Sequence, residues 1–518
     1  MIARVEKAVS ALQGWRRYLL AFATGAFMVA AMPPAGVFPA LFISIPVLMW
    51  LVASARGALG AFMTGWAFGC GFFIVGLYWL GIAFKAFFSH VMWLFPVSVI
   101  GIPVYIALYY AAAALLAWPF RRNRTHYALM FTVMLFWAEY LRGHYITNFP
   151  WNHLGYGWHH VLPVLQASAW FGIYGLTLLT IVWAAAPVMS RRGGAAVLLS
   201  LFFVAGFGLC HLRLNPTVET PHLVRIVQPN ISQAEKEGGG KKEDIFLRHL
   251  TLSATETAHD DKIRFVVWPE TAVDMFSPED RRNIDRITLS LPQNAYGLIG
   301  VNRMVPAPVP GVRNSLIVLH PRSQRLIAQH DKFILAPWGE YIPYAELLRK
   351  TPFGQYVGAI PPMIAGSGPS TIRLGPDQLP AFSPIICFES TFAGRMKDIT
   401  RGKPDFLLFI TNDAWSMGTP GPAQHFGFAR VRAIEEGLPI VRAANSGISG
   451  IIDAQGRILH RLDLGQAGII DAPVPEPAAK PTLYAGTGDS LILLLAGCLT
   501  LCLLLLSYFF RPHRRVKS

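Results

Sequence analysis

Cysteine is scarce in this chain. Among 518 residues there are five, Cys70, Cys210, Cys387, Cys498 and Cys502, and all but Cys387 lie in long apolar runs. That excludes a disulfide framework for the polar part of the chain, and no Cys/His cluster with ligand spacing is present, so neither a metal nor a cofactor is expected. Carboxylates are scarcer still in the first 211 residues, where only Glu6 and Glu139 occur. An ion-coupled transporter carries ionisable groups within its spans, so this shortage argues against one. Acidic residues are fewer than basic ones throughout, 30 against 45, for a net charge of +15. Such an excess suggests nucleic acid, but its distribution excludes that reading, because residues 212–487 hold 29 Lys+Arg against 27 Asp+Glu. No repeat at a solenoid period is present.

Apolar sequence is abundant. A hydrocarbon core needs roughly 20 apolar residues of helix to cross it. That rule places about seven spans near 17–33, 37–54, 58–82, 90–119, 127–141, 162–190 and 194–211, and an eighth at 488–510. The basic excess lies beside these runs. With the N-terminus inside, the inner segments carry Arg4, Lys7, Arg16, Arg17, Arg56, Arg121, Arg122, Arg124, Arg191, Arg192 and the tail Arg511, Arg514, Arg515 and Lys517, whereas the short outer loops carry only Lys85 and Arg142. This positive-inside bias puts both termini in the cytoplasm and the polar domain on the outer, periplasmic face. The expected organisation is a transmembrane domain over 1–211, a soluble domain over 212–487, and a C-terminal span with a basic tail over 488–518. The stretch 28–34 is also a weak match to a signal-peptide cleavage site, which leaves the orientation of the rest unchanged.

In the polar domain, β-branched runs at 223–227, 265–267, 296–301, 315–319, 383–386, 406–410 and 450–452 read as strands, and 243–259, 279–290 and 424–436 read as helices. Interleaved strands and helices predict an α/β layered fold. The link between 296–301 and 315–319 is too short for a helix crossover, so a mixed sheet is expected. Residues 341–368 are long, apolar and rich in Gly and Pro, the composition of a lid or a lipid-contacting loop.

Three residues stand where strands could empty into loops: Glu270 in Trp268-Pro269-Glu270, Lys332 after Asp331, and Cys387 in Ile386-Cys387-Phe388-Glu389. Acyl transfer through a covalent intermediate needs a nucleophile, a base and a stabiliser of the oxyanion. Cys387 can be the first, Glu270 the second and Lys332 the third. Taken singly, each has an ordinary structural reading: a buried inert thiol, a surface carboxylate, a solvated lysine. Their joint occurrence at strand ends carries the case.

These motifs, with Pro337-Trp338-Gly339-Glu340, resemble the carbon–nitrogen hydrolase (nitrilase) superfamily and its Glu-Lys-Cys triad. Adding Thr411-Asn412-Asp413-Ala414-Trp415, Gln424-His425, the runs 430–435 and 442–447, and the outer-loop runs 136–143 and 149–156, the chain is similar to the bacterial apolipoprotein N-acyltransferases of the inner membrane. The resemblance implies an αββα-sandwich domain on eight transmembrane helices, with Glu270 as base, Lys332 as oxyanion stabiliser and Cys387 as nucleophile. It implies supporting roles for Glu340, Glu389 and Phe388. Arg142, Trp151, Trp338, Tyr341 and Asn314 become candidate substrate contacts. The implied reaction is ping-pong. An acyl chain passes from a membrane phospholipid to Cys387 and then to the α-amino group of the diacylglyceryl-cysteine that begins an apolipoprotein. Two departures stand out: Glu237 lies where the family often has Trp, and Phe388 where it commonly has Tyr. Rival readings are a membrane-anchored amidase or nitrilase, for which eight spans are superfluous, and a non-catalytic receptor or transporter with an outer ligand-binding domain.

Overall fold

The computed structural model describes residues 1–87, 92, 95–145, 148–238, 241–305, 311–320, 322–337, 339–342, 344–351, 354, 363–375 and 379–509. The chain divides into two compact units, Met1–Leu214 with Gly486–Ser518, and Asn215–Ala485.

The first unit is helical. Each expected apolar run carries a helix, but the helices differ in length and polarity. Among the described residues, five are long and apolar enough to cross a membrane: Ala58–Gly76, Val97–Phe120, Ser168–Val188, Arg191–Leu214 and Ser490–Phe509. Pro39–Ala53 is apolar but shorter, Trp15–Met28 has 14 residues, and Arg124–His144 includes Glu139 and Arg142. The helices approach through small residues. A Cβ on Gly25 would strike the Phe68 carbonyl, and one on Gly71 would strike the Phe22 carbonyl, so Trp15–Met28 and Ala58–Gly76 meet at reciprocal glycines. Gly65 and Gly69 likewise seat Ala107, Ala111 and Ala114 of Ile102–Ala117. Close backbone approach at small residues is how helices associate where no hydrophobic force separates side chain from solvent. Phe202 and Phe203 on Arg191–Leu214 are each 73 % exposed, an apolar face suited to lipid.

One buried polar knot interrupts this unit. The Glu139 carboxylate accepts from Arg142 Nε (2.9 Å) and Nη2 (2.7 Å) and from the Tyr110 hydroxyl (2.9 Å), and lies 2.8 Å from His153 Nδ1. Arg142 Nη1 also donates to the carbonyls of Trp151 (2.7 Å) and Phe149 (3.2 Å). A buried ion must be paired and hydrogen-bonded to be tolerated; here it pins the segment that follows its helix.

The second unit is a sandwich of two sheets between helical layers. Its strands are β1 (Glu219–Gln228), β2 (Ile263–Val267), β3 (Val273–Phe276), β4 (Tyr296–Val305), β5 (Gly311–Leu319), β6 (Leu326–Asp331), β7 (Phe382–Ile386), β8 (Phe406–Thr411), β9 (Ile440–Ala444), β10 (Ser449–Ile452), β11 (Ile458–Leu462) and β12 (Gly468–Pro475). One sheet runs β12-β1-β2-β4-β5-β6 with β3 beside β4; the other runs β11-β10-β9-β8-β7. Both are mixed. β1, β2 and β4 are parallel, as are β7, β8 and β9, whereas β4 and β5 form the expected antiparallel pair. Side chains alternate between faces with period two. Val224, Ile226, Phe265, Val267, Leu298 and Leu316 therefore face the second sheet's Phe382, Ile386, Phe406, Leu408 and Ile410 across a dry core. Their neighbours Val227, Val266, Ile299 and Ile317 pack outward under the helices Lys242–Ser253 and Arg281–Leu289. The outer face of the second sheet is covered by Met396–Ile399 and Gly421–Glu436. With both faces covered, central strands are apolar at every position, which is why 406–410 reads as an unbroken run.

Candidate active site

Four strand ends converge. β2 is extended by Trp268, whose N–H donates to the Leu298 carbonyl (2.9 Å), and the chain then crosses β4 at Glu270. Gly300 makes the crossing possible, since a Cβ there would strike the Pro269 carbonyl and Glu270 Cα. After β6, Lys332 keeps the ladder by donating its N–H to the Asn314 carbonyl (2.8 Å) and turns its side chain inward. β7 ends at Cys387, which adopts a left-handed φ of 52° and opens the short 3-10 helix Cys387–Thr391. A non-glycine residue held in that region is strained, and strain of this kind gathers at functional sites. β8 ends at Thr411, and the next N–H, that of Asn412, donates to Glu270 Oε2 (2.7 Å).

The buried charges form a chain. Glu270 Oε1 accepts from Asn314 Nδ2 (2.6 Å) and lies 3.5 Å from Lys332 Nζ. Lys332 Nζ donates to Glu340 Oε1 (2.8 Å), whose other oxygen accepts the Ala336 N–H (2.7 Å). Glu389 is fully buried and joins two of the strand ends: Oε1 accepts the N–H groups of Phe333 (2.8 Å) and Ile334 (3.2 Å), while Oε2 accepts that of Ile386 (2.7 Å). It thereby ties the residue after Lys332 to the residue before Cys387.

Electrostatics assign resting protonation states. Burial opposes the Lys332 ammonium, but Glu340, the Cys387 sulfur and Glu270 outweigh it, so its pKa stands well above that of an ordinary lysine. Burial pushes the Cys387 thiol well up, Glu270 pushes it further, and Lys332 only partly reverses this. Burial thus favours the thiol form of Cys387, which could act as a nucleophile only once a base takes its proton. Burial raises the Glu389 carboxyl to about 7 against the N–H groups that favour its anion. Beside Glu270, Lys236 Nζ donates to the Thr271 carbonyl (3.2 Å) and hydroxyl (3.0 Å), and burial lowers its pKa to about 8 although Glu270 and Asp274 oppose the shift.

Of the expected site residues, Glu270, Lys332, Cys387, Glu340, Glu389 and Asn314 come together. Asn314 does so as a partner of Glu270. Phe388 is buried against Phe392, ring edge to face at 5.2 Å. Tyr341 is partly exposed at the start of the apolar loop, where Tyr344 and Leu347 are exposed too. The loop returns by donating the Ile364 N–H to Val312 (2.9 Å) and the Gly366 N–H to the Lys332 carbonyl (2.8 Å). Arg142 and Trp151 belong to the helical unit and are buried in it, Arg142 in the knot with Glu139 and Trp151 against Trp79 (4.8 Å) and Phe149 (5.9 Å). Trp338, most of the loop 352–362, the Glu237 side chain and the basic tail lie outside the described residues.

Sequence reasoning quoted Asp413, His425 and Arg442 within motifs but gave them no task. They form a second buried cluster. Asp413 Oδ1 lies 2.8 Å from His425 Nδ1, and Oδ2 accepts from Arg442 Nη2 (2.9 Å). His425 Nε2 in turn lies 3.2 Å from the Cys387 carbonyl and 3.1 Å from Ser390 Oγ. Burial raises the Asp413 carboxyl, but Arg442 and His425 outweigh it and hold it well below the usual carboxylate range. A His and an Arg inside otherwise apolar stretches were the available signal, but no spacing in the sequence shows that they meet.

Residues 223–482, which hold this buried Glu-Lys-Cys group, match the family described as carbon–nitrogen hydrolase. Residues 24–186 match the family of apolipoprotein N-acyltransferase N-terminal domains. Three proteins named apolipoprotein N-acyltransferase span nearly the whole chain. That of Rhodopseudomonas palustris is 35 % identical over 94 % of this chain and 95 % of its own length. That of Rhizobium leguminosarum is 38 % identical over 91 % and 92 %. That of Brucella melitensis is 35 % identical over 97 % and 99 %. The chain belongs to the apolipoprotein N-acyltransferase family.

Proposed function

We propose that this enzyme, an acyltransferase of lipoprotein biosynthesis in the bacterial inner membrane, takes its acyl chain from a membrane phospholipid. It passes that chain through a Cys387 thioester to the α-amino group of an N-terminal S-diacylglyceryl-cysteine. The observation that carries this reading is the buried chain Glu270–Lys332–Glu340 set against a protonated Cys387 in a left-handed turn.

Glu270 takes the thiol proton, and the thiolate attacks the phospholipid ester carbonyl. The tetrahedral oxyanion is met by the Lys332 ammonium and the Phe388 N–H. Collapse breaks the ester C–O bond, Glu270 returns its proton to the departing oxygen, and a lysophospholipid leaves. The neutral α-amino group, whose ordinary pKa is about 8, then attacks the thioester. Glu270 accepts a proton from the new amide nitrogen and gives it to the Cys387 sulfur as the C–S bond breaks. Glu340 keeps Lys332 oriented, and Glu389 holds the backbone of both strand ends. In this reading residues 1–211 and 488–518 are the membrane part, with eight spans and both termini cytoplasmic. The catalytic domain, 212–487, is periplasmic, in keeping with the positive-inside bias.

The test is intact mass spectrometry of the detergent-purified chain with phospholipid alone. The expected result is one acyl adduct that maps to Cys387, is absent in Cys387→Ala, and moves to a diacylglyceryl-cysteine peptide on addition. An adduct discharged to water as fast without peptide as with it marks a hydrolase and overturns the transferase reading. The absence of any adduct overturns the covalent mechanism.

A further inference from the structure

Behind the nucleophile lies a cluster that the reaction above does not use. Asp413, His425 and Arg442 are all buried, on three elements: the turn after β8, the helix Gly421–Glu436, and β9. Arg442 donates to Asp413 and to the Ile448 carbonyl, and its guanidinium stacks over Phe409 (4.7 Å). Asp413 also accepts the Thr411 hydroxyl (3.2 Å). A carboxylate this fully engaged fixes the imidazole it touches, and being an acceptor only, it requires the hydrogen on His425 Nδ1. That leaves Nε2 aimed at two oxygens, the Cys387 carbonyl and Ser390 Oγ, which is itself 3.0 Å from the same carbonyl.

Resting on the covalent mechanism proposed above, we infer that His425 is a positioning residue, held by Asp413 and Arg442, that orients the Cys387–Phe388 peptide so that its N–H meets the oxyanion. A trans peptide is planar, and its C=O and N–H point in opposite directions. Anchoring the Cys387 carbonyl toward His425 therefore turns the Phe388 N–H away from it. When Nε2 carries a hydrogen, it donates to that carbonyl directly. When it does not, the carbonyl is held by the Ser390 hydroxyl, whose one hydrogen cannot also go to Nε2. Both states resist relaxation of the left-handed φ at Cys387, which a non-glycine residue leaves readily unless its surroundings hold it. His425 touches the peptide and not the thiol, whereas Asp413 and the Thr411 hydroxyl it accepts also act on the sulfur. Loss of His425 should damage the step that builds an oxyanion and spare a reaction at sulfur that builds none.

The experiment compares two reactions of Cys387 in the full-length, detergent-solubilised chain. Alkylation by iodoacetamide needs only the thiolate; acylation by dioleoyl phosphatidylethanolamine needs the oxyanion donors as well. In His425→Ala the acylation rate is expected to fall about 10²-fold or more, the loss typical of a mispositioned oxyanion donor, while alkylation stays within about threefold of wild type. His425→Gln, whose amide can reach the same carbonyl, should recover about tenfold of that loss. Ser390→Ala, a milder change in case the histidine variants fold poorly, should show the same selective pattern at about tenfold. Acylation unchanged in His425→Ala, or acylation and alkylation falling together in both the His425 and Ser390 variants, overturns the inference. A wild-type chain that is alkylated but never acylated overturns the covalent mechanism, and the inference with it.

Discussion

Glu139 in the helical unit and Glu270 in the α/β unit are both buried carboxylates beside a buried cation, and they do different work. Glu139 is saturated: two nitrogens of Arg142, the Tyr110 hydroxyl and His153 surround it, and Arg142 spends its remaining hydrogens on the carbonyls of Phe149 and Trp151. The knot closes on its own side chains and, through Arg142 Nη1, on the backbone. Glu270 has one oxygen in contact with Lys332 at the long distance of 3.5 Å, and Lys332 leans instead on Glu340 at 2.8 Å. In the proposed mechanism Glu270 is the base and Lys332 the oxyanion stabiliser, and such a pair cannot spend its whole capacity on itself. The difference between a saturated and a loosened pair is thus the difference between a structural and a chemical use of buried charge.

The largest expected effect tests the chemical side. Lys332→Met removes the ammonium that meets the oxyanion in the proposed mechanism, so acylation of Cys387 per folded molecule should fall about 10³-fold. Measured at low temperature, where the variant stays folded, a loss of less than tenfold would remove Lys332 from the mechanism. The structural side is tested by Arg142→Met. Breaking a buried pair leaves Glu139 without its cation and is worth roughly 3–5 kcal/mol, read as a lowered unfolding midpoint. Activity per folded molecule should hold, and Glu139→Gln in the same chain should restore much of the midpoint. A folded Arg142→Met protein without activity would break the comparison and make the knot part of the substrate path.

Acid sharpens the comparison next. Burial holds His249 at about 3 and His330 at about 4, both below the ordinary histidine value of 6.5. The unfolded rings gain protons as pH falls through 6.5 and the folded rings do not, so stability is full above 6.5 and is lost down to the folded values. The sum is on the order of a few kcal/mol. Glu389 runs the other way. Its folded value of about 7 lies above the ordinary 4.5, so its ionised form is a penalty above pH 7 that disappears by 4.5. Between pH 6.5 and 4.5 Glu389 offsets only one of the two rings, so the net loss is shallow there and steepens just below 4.5. Glu389→Gln removes the offset, so its unfolding midpoint should begin to fall at higher pH than wild type; coincident profiles would refute the assignment.

What the sequence made legible follows the same division. Glu270 and Cys387 stand out because each follows an apolar strand and differs sharply from it, whereas Lys332 follows the polar end of β6 and stands out only before Phe333-Ile334-Leu335; the fully apolar 406–410 betrayed a sheet covered on both faces. β3 and β6 were not legible: β3 has four residues, and β6 includes Gln329, His330 and Asp331 near an edge. β9 was hidden by Arg442, which reads as a surface residue until Asp413 and the ring of Phe409 are brought to it by the fold. Span number was only partly legible, because Arg124–His144 is long enough but carries its own ion pair, and hydropathy cannot tell a paired charge from a solvated one.

Asn314 gives a smaller test. The resemblance offered it as a substrate contact, yet Nδ2 donates to Glu270 at 2.6 Å and its carbonyl receives the Lys332 N–H. Asn314→Leu deletes one hydrogen bond to a charged group, worth about 1.5–3 kcal/mol. It should lower kcat by about tenfold or somewhat more and leave KM for phospholipid unchanged; a rise in KM alone would return Asn314 to the substrate.

The smallest expected effect falls on Phe388, the departure from the family's usual Tyr. Its ring packs against Phe392, and its N–H belongs to the peptide whose carbonyl faces His425 and Ser390. If the reaction uses only that N–H, then Phe388→Tyr adds a hydroxyl remote from the reacting atoms, and acylation should change by less than about threefold. A larger gain would mean that the phenol itself meets substrate, and that this chain does without a contact its relatives have. A small change, beside a large selective loss in His425→Ala, would place the contribution of residue 388 in its backbone. Glu389, through the N–H of Ile386, and His425, through the carbonyl of Cys387, would then hold the backbone on either side of Cys387.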